Sequence, residues 1–234
     1  MTQSVDLANA INSFVKGCKT DGTWDAIKAC CIMAAWDGLD GALYPLKGPA
    51  PTNFNFVAAD YNRETGLVGD GSTKYLNSNR NNNADPQNSK HISVWASQLS
   101  SPTAFSIYVN SSVGTASGRS FILRGQYSGT ILAGVNAVGT STNISASVGF
   151  IGASRGSPTQ ETIRVSGVNY TQSSSSSLLA VDEPIGIFAR STGTTPPPYG
   201  TPRISFYSIG ESLDLALLDN RVSTLMTDIG AAIP

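Results

Sequence analysis

A chain of 234 residues with 15 Lys and Arg against 16 Asp and Glu carries a net charge of −1, and only 13% of its residues are charged. That is about half the usual share of roughly 25%. It leaves no basic stripe to neutralise phosphates and so excludes nucleic acid as a leading partner. The length suits one large β-sandwich or barrel, with a core that needs neither disulfide nor metal to hold it.

The first 38 residues read as helical. Leu7, Ile11, Phe14 and Val15 recur at helical spacing after the candidate cap Ser4, and Gly17 is expected to stop that helix. A second helix is expected after Asp21-Gly22, with Trp24, Ile27, Cys31, Ala34 and Ala35 on its apolar face. Trp24 would anchor it on a sheet. Pro45, Pro49 and Pro51 then impose an extended connection.

From 53 to 210 the period becomes two, as in a β-sandwich. Strands are expected near 54–58, 74–77, 91–98, 104–110, 120–126, 130–136, 147–153, 162–170, 185–190 and 203–209. The polar loops 79–89, 173–177 and 191–202 are expected on the outside. A C-terminal helix is expected over 211–230, where Leu215, Leu218, Val222, Leu225 and Ile229 form a 3-4-3-4 stripe. That stripe suits either packing on the sandwich or a seam between subunits.

Cys18 stands alone and Cys30 and Cys31 are adjacent, beside a single histidine, so zinc lacks four spaced ligands and the thiols read as buried hydrophobes. The longest early apolar run, 29–36, is too short to cross a membrane, and no signal peptide is visible. The expectation is synthesis in a cytoplasm without membrane insertion.

Gly152-Ala-Ser-Arg-Gly156 has the spacing of a nucleophile elbow, which also needs a strand–turn–helix and a later histidine. Pro158 follows it instead, and the sole histidine, His91, lies upstream and reads as a sheet-surface residue. The adjacent acids Asp182 and Glu183 precede Pro184 in a turn, whereas glycoside hydrolysis needs two carboxylates across a bond. The chain is therefore expected not to be an enzyme.

Asp60, Asp70 and Asp85, with Asn81, Asn82 and Asn83, offer oxygen donors for calcium but lack the dense spacing of a calcium loop, so no cofactor is expected. Carbohydrate binding needs an exposed aromatic beside amides. The candidates are Tyr61, Tyr75, Trp95, Tyr127, Tyr170 and Tyr199, with Trp95 expected in the core and Tyr199 the most exposed. The candidate ligand-binding residues are thus Asp70, Asn81, Asn82, Asn83, Asp85 and Tyr199.

The layout also resembles bacteriophage virion proteins that carry a concanavalin A-like, laminin-G-type jelly-roll domain. The resemblance is carried by Ile11-Asn-Ser-Phe-Val-Lys-Gly17, Asp21-Gly-Thr-Trp-Asp-Ala-Ile-Lys28, Leu46-Lys-Gly-Pro49, Gly69-Asp-Gly-Ser-Thr-Lys-Tyr-Leu76 and Phe206-Tyr-Ser-Ile-Gly-Glu-Ser-Leu213. It runs over residues 9–230. It implies an antiparallel two-sheet jelly-roll sandwich with two N-terminal helices and one C-terminal helix. It also implies a structural place in a virion, as a capsid decoration or a tail-associated or fibre protein. The acidic Glu-x-Asp-x-Glu strand motif of glycosidases on this fold is absent. The implied partners are other virion proteins and further copies of the chain. Host surface glycan is the alternative partner, through loops 79–89 and 191–202.

Overall fold

The computed structural model describes residues 2–101, 106–111, 118–125, 129–137, 144–173, 175–190 and 199–233. Its first elements are α1 (Thr2–Thr20), β1 (Ile27–Ile32), α2 (Leu39–Ala42), β2 (Thr52–Phe54), β3 (Tyr61–Asn62), β4 (Gly66–Val68) and β5 (Tyr75–Asn81). Next come β6 (Lys90–Gln98), β7 (Ser106–Asn110), β8 (Arg119–Arg124), β9 (Thr130–Ala137), β10 (Ile144–Ser145) and β11 (Gly149–Arg155). The chain continues through β12 (Glu161–Val165), β13 (Val168–Gln172), β14 (Pro184–Ile187), β15 (Arg203–Gly210) and α3 (Leu215–Ala232).

The strands form an antiparallel two-sheet jelly-roll sandwich. The first sheet has the order β13-β12-β11-β6-β15-β4-β3, and the second β10-β9-β8-β7-β14-β5-β2. In the first sheet β15 pairs with β6 along one edge, while its other edge is divided between β4 at 203–204 and β1 at 206–210. Alternate residues of both sheets, among them Val94, Tyr108, Ile122, Val135, Ile151 and Ile187, fill the space between them. A second apolar layer lies on the far side of the first sheet, where α1 and α3 cover Phe150 and Phe206. The order is helices, sheet, sheet, and among the described residues no helix covers the outer face of the second sheet. Nor is any described helix long and apolar enough to cross a membrane.

The segment expected as the second helix is the strand β1. Ala29, Cys31 and Met33 face the core between the sheets, and Ile27, Cys30 and Ile32 face the helical layer. A strand buried on both faces has no polar side, so its apolar run lacks the alternation that separates strand from helix. The second helix of the chain is instead the short α2.

Gly17 does not stop α1, which runs on to Thr20. Gly17 lies where α3 passes close by, and a Cβ there would sit 2.7 Å from Arg221 Cδ. Arg221 reaches the end of α1, donating from Nε and Nη2 to Asp21 at 2.7 and 2.9 Å. The expected strand 162–170 is two strands, β12 and β13, joined at Ser166 and Gly167, both with positive φ (54° and 75°) as a type I′ hairpin turn requires.

Asp214 caps α3, its Oδ1 accepting from the backbone N–H groups of Ala216 and Leu217 at 2.7 and 3.3 Å. Leu215, Leu218, Val222, Leu225 and Ile229 are all buried, packed with Phe14, Cys18 and Phe206 of the same chain. The stripe is a within-chain packing face, the first of the two placements the sequence suggested, and its buried residues do not offer the candidate oligomer face.

Candidate functional site

The candidate site lies on the outer face of the second sheet, at its β2–β5 edge. In β5, Leu76 and Ser78 are buried, while Tyr75, Asn77 and Asn79 alternate with them and point outward. The edge strand β2 sets Thr52 opposite Asn77 and Phe54 opposite Tyr75. From Asn77 the same cross-strand row continues through Gly186, Asn110, Phe121 and Gly134. Antiparallel partners share a face, so these residues form one line across six strands from β2 to β9, in which Asn110 and Phe121 are buried and the β2–β5 end is the open part.

An aromatic cluster occupies one end of that line. Phe54 and Tyr75 stack with centroids 4.3 Å apart and planes 4° from parallel. Tyr199 follows 6.2 Å from Tyr75, tilted by 53°. A backbone bridge to Ala189 holds Tyr199 in place. Phe54 is 36% exposed, and Tyr75 and Tyr199 are half-buried.

Asparagines shape the surroundings. Asn79 takes a positive φ of 55° and donates from Nδ2 to the Ala50 carbonyl and Thr52 Oγ1 at 2.8 and 2.9 Å, tying β2 to β5. Asn55, with φ 67°, donates to the Thr73 carbonyl. Asparagine tolerates this backbone region because its short side chain can bond locally. The arrangement offers flat apolar rings flanked by amides and hydroxyls, a surface suited to a ligand with one apolar face and many hydroxyl groups.

The sequence-predicted site residues do not all converge here. Tyr199 does. Asp70 sits in the turn before β5, its Oδ1 accepting from the N–H groups of Ser72, Thr73 and Lys74 at 2.9, 2.8 and 3.0 Å. Partial desolvation opposes its ionisation, but these bonds and the Thr73 hydroxyl prevail and hold its carboxyl far below the usual range. Asn81 donates to Asp182 at 2.8 Å, and Asn83 is exposed beside it. Asn82 is buried and donates to the Gly118 carbonyl and Asn136 Oδ1 at 3.0 and 2.9 Å, which makes it a tie within the fold.

Asp85 is buried between two cations, Arg80 and Lys90, with Lys90 Nζ at 2.9 Å. Burial opposes its ionisation, yet Arg80 and Lys90 hold its carboxyl below the usual range. Asp60 accepts from the Val57 N–H and pairs with Lys74. The three aspartates therefore have separate protein partners, and among the described residues no three His, Cys, Asp or Glu side chains gather as a metal site.

The remaining candidates take structural places. Tyr61 donates to the Trp36 carbonyl at 2.6 Å, and Tyr170 lies on β13 at the edge of the first sheet. Trp95 is half-buried under the helical layer rather than in the inter-sheet core, and Trp24 is half-buried with Lys47 Nζ 4.8 Å from its ring. Tyr127 and residues 191–198 lie outside the described residues.

His91 is fully buried, not on the surface, with Nδ1 2.6 Å from the Glu211 carbonyl and Nε2 2.6 Å from Ser208 Oγ. Burial pushes its pKa down to about 4, so the ring is neutral near pH 7. Ser154 lies opposite His91 in the sheet, but its hydroxyl exchanges hydrogen bonds with the carbonyl and N–H of Leu213, inside a strand and not at an elbow.

Phe54, Thr52 and Asn77 were not singled out by the sequence reading. The signal for Thr52 and Phe54 is the Thr-Asn-Phe-Asn run at 52–55, hidden because the expected strand 54–58 begins two residues late.

No family model and no curated protein matches the sequence. Solved structures do. The receptor-binding domain of botulinum neurotoxin mosaic serotype C/D aligns with a TM-score of 0.57 at 12% identity, over 86% of this chain and 50% of that one. A botulinum neurotoxin type C structure, whose cell entry depends on two ganglioside molecules, aligns at 0.55 and 12% identity over 88% and 51%. A Trypanosoma rangeli sialidase aligns at 0.51 and 10% identity over 87% and 33%. The chain thus spans about half the length of the neurotoxin structures and a third of the sialidase. At such identities the likeness establishes the fold: this chain is a jelly-roll-like β-sandwich of the kind these proteins contain.

Proposed function

We propose that the chain is a non-enzymatic, lectin-like module that recognises host surface glycan through the outer face of its second sheet. The observation that carries this reading is the Phe54–Tyr75–Tyr199 cluster, held at a sheet edge among Thr52, Asn77 and Asn79. A sugar ring lays its C–H face on an aromatic while its hydroxyls meet amides, the division of labour a binding site of this type uses. The ganglioside dependence of the similarly folded type C neurotoxin supports the reading. The engagement of Ser154 and His91 with Leu213, Ser208 and Glu211 supports a role without turnover.

The resemblance over residues 9–230 favours a second reading, a structural virion component acting by protein–protein contact as a decoration or tail-associated protein, with the virion as its location. One experiment separates the two. The purified chain and its Tyr75→Ala variant are assayed on host cells, on an array of host surface glycans, and on phage particles lacking the protein. Glycan and cell binding that the variant loses supports recognition. Binding only to particles, equal for both proteins, contradicts it and supports the structural role.

A further inference from the structure

The outer strands of the two sheets differ in what they offer a partner. Among the described strands, β3 and β10 have two residues each, and β2 has three and follows Pro51. β1 is met on its outer side by the backbone of Leu46 and Lys47 at Cys30. β13, at the end of the first sheet, has five residues, and those from Val168 to Thr171 are all exposed. Sheet edges are ordinarily guarded by charge, proline, a bulge or brevity. Between Arg164 and Asp182 the sequence holds no charged residue and no proline, and the β12–β13 ladder runs without a bulge.

The hairpin determines which main-chain groups are spare. Its two-residue turn at Ser166 and Gly167 closes on Val165 and Val168 as a hydrogen-bonded pair. Hydrogen-bonded and non-hydrogen-bonded pairs alternate along an antiparallel ladder, so Tyr170 and Gln172 bond inward to Ile163 and Glu161. The N–H and C=O groups of Asn169 and Thr171 therefore point away from the sheet. Val168 and Tyr170 stand opposite Val165 and Ile163, on the face that fills the core, yet they remain 49% and 37% exposed because the sheet ends there.

This edge is complementary to itself. When a second copy of the strand runs antiparallel about a two-fold axis at Tyr170, Asn169 meets the partner's Thr171 and Thr171 meets the partner's Asn169. Every outward N–H and C=O of these residues is then bonded. Tyr170 faces the partner's Tyr170 as a non-hydrogen-bonded pair, with Cα atoms about 4.5 Å apart. An axis at Asn169 or Thr171 instead sets the other residue opposite Gly167 or Ser173, outside the strand.

We propose that two copies of this chain join their first sheets edge to edge, by antiparallel β13–β13 pairing centred on Tyr170. The occupant is a second copy because one symmetric register satisfies the whole edge. The pairing does not depend on the glycan reading. β12 packs over β9, which puts β13 and β2 at opposite ends of the sandwich, so both Phe54–Tyr75–Tyr199 clusters stay open in the dimer.

The test is sedimentation equilibrium of the full chain over a concentration series, and a monomer–dimer equilibrium is expected. Tyr170→Lys sets like charges opposite one another and should weaken the dimer at least about tenfold, as should Tyr170→Glu. Mixing these two variants should restore it, because lysine then faces glutamate; a merely structural tyrosine gives no such rescue. Thr171→Pro removes an outward N–H that the monomer does not use and should also give monomers, its fold checked by circular dichroism. If the proline variant does not fold, the charge-swap pair decides. A native chain that stays monomeric up to about 100 μM overturns the proposal. So does a dimer that survives both the lysine and the proline variant. Lysine and glutamate variants that remain monomeric when mixed overturn the pairing at Tyr170.

Discussion

Phe54 and Tyr75 face one another across the β2–β5 pair, rings 4.3 Å apart and nearly parallel. The stack fastens a three-residue edge strand, every residue of which is exposed, and keeps a flat apolar surface beside the asparagines. Phe54→Ala is expected to cost about 0.5–1.5 kcal/mol in urea denaturation while lowering glycan affinity about tenfold or more. A loss of stability without loss of affinity would make the stack structural only.

Arg155 and Glu161 join the two sheets through one residue. Arg155 Nε donates to the Val135 carbonyl at 2.7 Å, and the Val135 N–H donates to Glu161 Oε2 at 2.8 Å. Arg155 and Glu161 stand on neighbouring strands of the first sheet, and Val135 belongs to β9 of the second. Both side chains are fully buried, and Ser175 closes the network by donating to Glu161 at 2.7 Å. Glu161→Ala leaves a buried cation and an unpaired backbone donor, so a loss of about 3–5 kcal/mol is expected from the chemical-denaturation midpoint. A loss below about 1 kcal/mol, the worth of an exposed pair, would contradict this account.

His91 predicts a pH dependence. Its folded pKa is depressed to about 4 from 6.5, so below pH 6.5 the unfolded chain takes up a proton that the folded chain refuses. Stability from this group is complete above pH 6.5 and falls as the pH drops towards 4, by on the order of 3 kcal/mol in total. The slope of unfolding free energy against pH in that window should flatten in His91→Gln. An unchanged slope would assign it to other groups.

Leu218 lies at the centre of the helical layer and is fully buried. Leu218→Ala is expected to cost about 2–5 kcal/mol, as cavity-forming changes do. Leu217, exposed on the same helix, should tolerate alanine within about 0.5 kcal/mol. Thermal unfolding of both variants checks the contrast.

Much of the architecture was legible because strands alternate apolar with polar side chains, as β6 and β15 do although nearly all their residues are buried. The strands holding His91 and Phe206 were placed within a residue of β6 and β15. Reading failed where that signal vanishes. β1 is apolar on both faces, and β3 and β10 are two-residue strands too short to show a period. Ser166-Gly167 is a hairpin signal in its own right, a two-residue turn with glycine second between two alternating runs.

The candidate site was legible only in part. Tyr199 is a candidate on both counts, through the proline and glycine that flank it in the sequence and through its place 6.2 Å from Tyr75 in the structure, where it is half-buried rather than the most exposed aromatic. Asp70 and Asp85 misled because polar residues in loops look alike whether they face a ligand or bond their own backbone and neighbours. Phe54 owes its meaning to its cross-strand neighbour Tyr75, which spacing along one strand does not reveal.

The central claim is that the Phe54–Tyr75–Tyr199 platform binds carbohydrate. The most direct measurement is a calorimetric comparison of the whole chain with a Tyr75→Ala, Tyr199→Ala double variant, titrated with host surface oligosaccharide at matched folded concentration. Saturable heat from the native chain that disappears in a folded double variant is the predicted result. Equal heat from both proteins, or none from either, would contradict the claim.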